Sequence, residues 1–267
     1  MTTQTSPFGT LLRQRRRSRG MSQLMLAAEA QTTPRHISFL ETGRSRPTGA
    51  MVIRLCDALG VQLRERNQLL LGAGLSPHYP EEPFDAPRYR PARAAINRLL
   101  SAHEPYAAVV LSRDWLVIEA NRGAERLFGA DLTGVNMMTW LYDRGDPHET
   151  IANWPEVARA TVARLRAEVA QFPLDKSLST ALAAVQSSVG ELDSAEATAD
   201  LVVCPWFRTP DGIVRTMVLA ARFDNAVDIT LADLRVELIY PLDDEADAFF
   251  RATKNRPPPT SEPLGGP

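Results

Sequence analysis

Capping signals divide the first 75 residues of the chain into short predicted helices. A hydroxyl side chain ahead of a helix can accept a hydrogen bond from a free backbone N–H, and a glycine behind it permits the left-handed turn that ends it. The caps are Ser22, Thr33 and Thr48, and the glycines are Gly20, Gly43 and Gly60. This pattern predicts an all-α domain of about five helices between Phe8 and Leu71.

The charge of the chain is unevenly distributed. Residues 1–75 carry eleven arginines and four acidic residues, a balance of +7. The net charge of the whole chain is -2, so residues 76–267 hold the other 19 basic and 28 acidic residues, a balance of -9. A basic region attached to an acidic one suggests that the basic region contacts a polyanion such as nucleic acid. The alternative is that arginine is simply the preferred cation of this chain, since Lys176 and Lys254 are its only lysines.

Proline clusters indicate the domain boundaries. Of the 20 prolines, five lie between residues 77 and 91 and five between residues 257 and 267. Such segments favour extended chain and cannot continue a helix. We therefore predict a helical, basic head (residues 1–75), a Pro-rich linker (76–91), a second domain (92–254) and a disordered tail (255–267).

The composition is that of a globular chain without a membrane span. Apolar residues make up 44% and charged residues 23%, and no apolar run approaches the roughly 18 residues that cross a bilayer. Cys56 and Cys204 are the only cysteines, so we expect neither a disulfide framework nor a cysteine zinc site. We expect a cytoplasmic protein with no membrane partner.

The third predicted helix has a chemically unusual outer face. Ile37 and Leu40 share one face, which leaves Arg35, His36 and Phe39 on another. Arginine can bridge the O6 and N7 atoms of guanine, and an apolar ring can contact a thymine methyl group. These three side chains therefore fit the major groove of DNA.

The same region carries a family resemblance. Residues Met21 to Ala28 and Ile37 to Pro47 resemble the helix-turn-helix of Cro/C1 repressors, the XRE family. The resemblance implies a double-stranded DNA operator, with Gln23 and two arginines on backbone phosphates and the third helix facing the bases. The DNA-binding residues that it implies are Gln23, Thr33, Pro34, Arg35, His36, Phe39, Arg44 and Arg46.

Two further positions follow from this resemblance. Arg16 and Glu41 match a pair that is ion-bonded in these repressors, which would tie the first helix to the end of the recognition helix. Gln31 stands where a turn glycine is usual, and a non-glycine residue in a left-handed turn costs on the order of 1 kcal/mol. We expect the turn at Gln31 to differ slightly from the usual one.

No catalytic motif accompanies the second domain. The sequence has no Gly-rich phosphate loop, no nucleophile elbow and no metal-ligand spacing. The four histidines (His36, His78, His103 and His148) are dispersed, as ordinary surface or capping histidines are. We therefore expect no enzyme activity, no metal and no cofactor.

The second domain has the pattern of an α+β fold. Two predicted strands, Ala107 to Leu111 and Leu116 to Ala120, lead into a helix that Asn121 caps. Helices follow to about Val189, and three more strands are predicted near residues 201–208, 213–223 and 234–240. Two strands, several helices and three strands predict a five-stranded antiparallel sheet with flanking helices, which is the arrangement of PAS-like sensor domains.

At this level the resemblance covers nearly the whole chain. Blocks at residues 59–74, 103–107, 121–124 and 153–160 resemble the MmyB-like regulators, which join an XRE-type head to a PAS-like ligand-binding domain. In that family the ligand-binding domain is associated with medium- to long-chain fatty acids. The resemblance therefore implies a homodimeric transcription regulator that senses a fatty acid.

Large or adaptable apolar side chains in the second domain fit such a ligand. An arginine at the mouth of a pocket can bind a carboxylate through two hydrogen bonds, and Arg159 is our choice among those that follow Trp154. For each apolar residue the alternative is a place in the core. The predicted ligand-binding residues are Trp115, Met138, Trp140, Trp154, Arg159, Trp206 and Met217.

We therefore interpret the chain as a sequence-specific DNA-binding regulator with a sensor domain for a small apolar acid. Two alternatives from other classes remain at this point. One is a ligand-free dimerising repressor controlled by a protein partner. The other is an enzyme acting on a lipid or nucleotide, which the missing catalytic residues disfavour.

Overall fold

A computed structural model describes residues 7–142, 145–171, 176–189 and 203–253 of the chain. These residues form two compact units. The first contains the chain up to Phe84 together with Asp224–Ala232, and the second contains Asp85–Phe223 and the chain from Asp233 onward. The predicted disordered tail, residues 255–267, lies outside the described residues.

The first unit contains the five predicted helices. They are α1 (Pro7–Ser18), α2 (Gln23–Glu29), α3 (Pro34–Glu41), α4 (Gly49–Ala58) and α5 (Leu63–Gly72). The side chains of Ser22, Thr33 and Thr48 each accept a hydrogen bond from the backbone N–H three residues further on, over 3.1 to 3.3 Å. The capping residues therefore start α2, α3 and α4 as the sequence predicts.

Large apolar side chains from the helices form the core of this unit. The fully buried ones include Phe8, Leu12, Leu26, Ile37, Leu40 and Leu55. Burial raises the pKa of the Cys56 thiol to about 12, so the cysteine is a neutral core residue at physiological pH. Gln31, between α2 and α3, has a φ of 50°, so the chain makes the left-handed turn there without glycine.

The second unit alternates short helices with strands. In chain order its elements are α6 (Arg90–His103), β1 (Ala108–Leu111), β2 (Val117–Ala120), α7 (Arg122–Phe128), α8 (Met137–Tyr142), α9 (Pro147–Thr150), α10 (Trp154–Gln171), α11 (Lys176–Val189), β3 (Trp206–Thr209), β4 (Gly212–Ala221), α12 (Ile229–Asp233), β5 (Arg235–Pro241) and α13 (Asp244–Thr253). α12 extends into this unit only at its last residue.

The strands form one antiparallel sheet in the order β2-β1-β5-β4-β3. The predicted α+β fold, with five antiparallel strands and flanking helices, is therefore confirmed. The central strand β5 pairs with β1 through Val109 opposite Glu237, and with β4 through Val218 opposite Ile239. Part of the strand predicted at 201–208 lies outside the described residues, and β3 begins at Trp206.

Two asparagines fix the ends of strands to the helices. The Asn121 side-chain oxygen accepts hydrogen bonds from the backbone N–H of Ala108 (2.8 Å) and of Ala124 (2.9 Å), so it joins β1 to the start of α7. Asn153 donates to the Cys204 carbonyl (3.0 Å) and accepts from the Trp206 N–H (2.8 Å). Both residues belong to sequence blocks that carry the family resemblance.

Candidate functional site

The outer face of α3 is the candidate DNA interface of the first unit. Ile37 and Leu40 are fully buried, whereas Arg35 is exposed and His36 and Phe39 are half-buried. Thr33 and Pro34 form the exposed first turn of the helix. The structure therefore brings the predicted base-reading residues together on one accessible surface.

Two guanidinium groups lie against the Phe39 ring. The Cζ atom of Arg35 is 5.2 Å from the ring centroid, and that of Arg44 is 6.0 Å away. At these distances a cation is attracted to the face of an aromatic ring. The contact holds two positive charges beside the apolar ring, and the exposed Arg46 lies two residues beyond Arg44.

Beneath this face, the Glu41 carboxylate is the centre of a buried network. It accepts hydrogen bonds from Arg16 Nε (2.6 Å), Arg16 Nη2 (3.0 Å) and Gln23 Nε2 (2.9 Å), and Arg13 Nε lies 3.4 Å away. Arg16 Nη1 also donates to the Met21 carbonyl (2.7 Å). This network joins α1, the start of α2 and the end of α3. It therefore holds α3, the recognition helix, in place within the head.

This network also holds the amide of Gln23, for which the family resemblance implies a contact with a DNA phosphate. Its Nε2 group is already bound to Glu41, and the side chain is half-buried. Burial alone would raise the pKa of Glu41, but the hydrogen bonds from Arg16 and Gln23 and the charges of Arg16 and Arg13 lower it below its usual value. Glu41 is therefore ionised at neutral pH.

Sequence reasoning missed a second ion pair in the head, between Arg15 of α1 and Glu65 of α5. Both residues are almost completely buried, with 3% and 4% of their surface exposed. Fifty positions separate the two residues, and no local pattern in the sequence connects them. The pair ties α5 to α1, as the Glu41 network ties α1 to α3.

The candidate ligand site of the second unit is a cleft of about 610 Å³. The β1–β2 turn, α8 and α11 surround it, and Trp115, Met138, Tyr142 and Ala181 contribute apolar surface. Lys176, the first residue of α11, lines the same cleft and supplies a positive charge. Trp115 and Met138, two of the predicted ligand-binding residues, line this cleft. Tyr142 and Lys176 also line it and were not predicted.

Trp115 is held in an unusual conformation at the wall of this cleft. Its φ is 64°, in the left-handed region that bulky residues rarely adopt. Guanidinium groups lie over the indole: Arg235 Cζ is 4.1 Å from a ring centroid and Arg164 Cζ is 4.9 Å away. Backbone strain of this kind often occurs at functional sites and must be stabilised by the surroundings, here by the two arginines.

Burial lowers the pKa of the Arg235 guanidinium, and the neighbouring Glu237 carboxylate opposes this effect. The two side chains form an ion pair on β5, with Arg235 Nη2 3.0 Å from Glu237 Oε1. Arg164 and Arg222 add repulsion, which lowers the pKa of Arg235 further. Arg235 is thus a buried positive charge over the Trp115 ring that Glu237 compensates only in part.

The other predicted ligand-binding residues lie elsewhere. Trp140 (8% exposed) and Trp154 (4% exposed) belong to the core, where Trp154 packs 4.9 Å from the Tyr142 ring. Trp206 lies under Arg215, whose Cζ is 5.1 Å from the ring centroid.

Met217 and Arg159 are also absent from the residues that line the cleft. Met217 is 36% exposed and alternates along β4 with Thr216 and Val218, which point to the other side of the strand. Arg159 pairs with Glu156 of its own helix (3.5 Å).

Within the described ranges, no helix is both long and apolar enough to cross a membrane. Nor do three or more histidine, cysteine, aspartate or glutamate residues cluster in a way that could hold a metal ion, in the same part of the chain.

Comparison with known proteins gives two family matches. Residues 92–252 match the family described as "MmyB-like transcription regulator ligand binding domain". Residues 12–66 match the family described as "Helix-turn-helix". A search of curated proteins finds no match to the chain.

Proposed function

Since the chain belongs to the MmyB-like transcription regulators, we propose that its cleft binds a medium- or long-chain fatty acid that controls operator binding by the head. The two family matches together identify a transcription regulator that binds DNA through its helix-turn-helix and carries a separate ligand-binding domain. The identity of the ligand and its effect on DNA are the parts that we propose.

One observation carries the ligand proposal: the cleft combines the apolar surface of Trp115, Met138 and Ala181 with polar residues, among them the charged Lys176 and Asp114. Its volume of about 610 Å³ lies within the range of small-molecule sites, roughly 300 to 1,000 Å³. Trp115, Met138 and Ala181 can bury an alkyl chain, and methionine adapts to a flexible one. The Lys176 ammonium group can hold the carboxylate by a charge-assisted hydrogen bond.

The head supports sequence-specific recognition of double-stranded DNA. Arg35 and Phe39 present a guanidinium group and an apolar ring on the accessible face of α3. Arg44 and Arg46, just beyond this helix, are exposed and would hold flanking phosphates. Gln23 would donate to the phosphate backbone through the second N–H of its amide, since the first is donated to Glu41.

A homodimer completes the proposal, because helix-turn-helix proteins of this kind bind paired half-sites. An exposed apolar row on β4 is available for a second copy of the chain. Its apolar members are Ile213, Met217 and Leu219, which are 44%, 36% and 53% exposed, and the exposed Arg215 lies between the first two. Contacts of such side chains across a symmetric interface would remove them from water.

The ligand proposal predicts a chain-length series in thermal melts of the full chain. Fatty acids from eight carbons upward should raise the melting temperature progressively until the cleft is full, because each buried methylene contributes roughly 0.8 kcal/mol before ordering costs. Lys176→Met should reduce the increment for acids and leave that of the matching alcohols unchanged. Lys254→Met, which removes the only other lysine, is the control.

Arg159→Ala separates the two candidate anchors. Because Arg159 pairs with Glu156 and does not line the cleft, we expect this variant to keep the increment for acids. If no acid or alcohol shifts the melting temperature below its micelle limit, the fatty-acid proposal is wrong. The ligand-free repressor controlled by a protein partner would then be the better interpretation.

A further inference from the structure

The first unit includes a segment that the sequence places between two strands of the ligand-binding domain. This inserted segment, Asp224–Ala232, follows β4 and precedes β5 in the chain. Ile229 in this segment is 1% exposed, and its N–H donates to the Pro80 carbonyl over 2.9 Å. Thr230 Oγ1 donates to the Glu82 carbonyl (2.7 Å) and accepts from the Glu82 N–H (3.3 Å). These hydrogen bonds dock the inserted segment on Pro80 and Glu82.

The chain to which it docks is itself fixed to α5. The Asn67 side-chain oxygen accepts hydrogen bonds from the backbone N–H groups of His78 (2.9 Å) and Tyr79 (3.0 Å). The Asn67 amide donates to the Tyr79 carbonyl (2.8 Å), and Arg64 pairs with Glu81 (2.5 Å). Residues 78–82 therefore connect the inserted segment to α5 of the head.

From α5, buried ion pairs lead to the recognition helix. Glu65 of α5 pairs with Arg15 of α1, and Arg16 of α1 pairs with Glu41 at the end of α3. Because an unpaired buried charge is costly, these pairs resist independent movement of the three helices. A displacement of α5 is thus opposed by α1 and α3 together.

The other end of the inserted segment continues along the chain into the second unit. It contains most of α12, which ends at Asp233, two residues before Arg235. The Arg235 guanidinium lies 4.1 Å over the Trp115 ring, and Trp115 lines the cleft in a strained conformation. A ligand that moves Trp115 would change the surroundings of Arg235 and so the start of β5.

We propose that the inserted segment transmits the state of the ligand-binding domain to the DNA-binding head within a single chain. The ligand part of this inference depends on the proposed function, but the mechanical part does not. It makes Arg235 a positioning residue that acts on the segment and Thr230 a docking residue. Control of the head would then require no change in the geometry of a dimer.

Hydrogen–deuterium exchange of the full-length chain tests the mechanical part without a ligand. Arg235→Gln should speed the exchange of amides in residues 62–84 by about fivefold or more. The reason is that the start of β5, which follows the inserted segment, would lose the contact between Arg235 and Trp115 that holds it. Arg215→Gln is the matched control, since Arg215 also lies over a tryptophan (Trp206) but is not adjacent to the inserted segment. Unchanged exchange in residues 62–84 of the Arg235→Gln variant would overturn the proposal.

A second variant acts on the docking contact itself, in case Arg235→Gln disturbs the whole sheet. Thr230→Val removes both hydrogen bonds to Glu82 and keeps the side-chain shape, so exchange in residues 62–84 should rise by a similar factor. Thr209→Val, which removes a bond from Thr209 Oγ1 to the Gly212 carbonyl, is its control. Arg235→Gln should add little exchange to Thr230→Val, whereas fully additive effects would contradict transmission through the segment.

Dodecanoic acid then separates the two proposals. If the acid raises the melting temperature but leaves exchange in residues 62–84 and 224–232 unchanged, the transmission route is wrong and the ligand proposal stands. If the acid does not bind while Arg235→Gln still alters exchange in the head, the route stands and the ligand proposal fails.

Discussion

Replacing Glu41 with alanine is expected to destabilise the head by about 3 to 5 kcal/mol. The substitution leaves the buried Arg16 guanidinium, which is 8% exposed, without its carboxylate, and uncompensated buried charges cost this much. It also removes the acceptor of the Gln23 amide. Urea unfolding of the full-length chain, followed by a signal from the head, measures the effect.

A double substitution distinguishes an ion pair from two independent contributions. Arg16→Met combined with Glu41→Leu should cost clearly less than the sum of the single changes, because no charge remains buried and unpaired. Glu29→Ala on the exposed side of α2 is the control and should change stability by less than about 0.5 kcal/mol. Additive single effects would show that the contact contributes no coupling energy.

The pH dependence of the head follows from the same carboxylate. Its pKa lies below the usual value of 4.5 in the folded state, so the folded state binds its proton less readily than the unfolded state. The stabilisation is therefore present above the usual value and is lost as the pH falls through the lowered pKa. The Glu41→Gln variant, which cannot be ionised there, should lack this part of the acid sensitivity.

Replacing Arg35 with alanine is expected to weaken specific operator binding by about 1 to 3 kcal/mol, or roughly 5- to 150-fold. Because Arg35 lies on the exposed face of α3, its loss should also relax the preference at one base pair. Arg44→Ala should weaken specific and non-specific binding alike, because phosphate contacts carry no sequence information. Gel shifts at several salt concentrations, on operator and on unrelated duplex, measure both variants.

Equal losses for the two variants on both kinds of DNA would contradict base reading by Arg35. Both arginines flank the Phe39 ring, so the comparison also controls for the loss of a cation–π contact. A difference between them must therefore come from the DNA.

Local signals explain why much of the fold could be predicted from the sequence. The caps at Ser22, Thr33 and Thr48 act over three residues, and Asn121 caps α7 in the same way. The helix α6 (Arg90–His103) was missed, and its first two residues, Arg90 and Pro91, fall in the segment that was predicted as a Pro-rich linker. Its buried Ile96 and Leu100 are the helical signal that was available.

The ligand cleft depends on contacts between distant parts of the chain. Lys176 and Trp115 are 61 positions apart, and they reach one cleft through the packing of α11 against α8 and α10. Met217 was misplaced for a different reason. A shift of one residue along a strand moves a side chain to the opposite face of the sheet, and the sequence did not show which face of β4 is buried. The inserted segment Asp224–Ala232 has no local pattern that indicates its partner at Pro80.

The central claim is that occupation of the cleft changes DNA binding by the head. Its most direct test is a fluorescence-anisotropy titration of an operator duplex, selected from a random pool by the full-length chain, with and without dodecanoic acid at one salt concentration. We predict a change in Kd of roughly fivefold or more, the lower range of coupling between two sites. An unchanged Kd at acid concentrations that raise the melting temperature of the chain would contradict the claim.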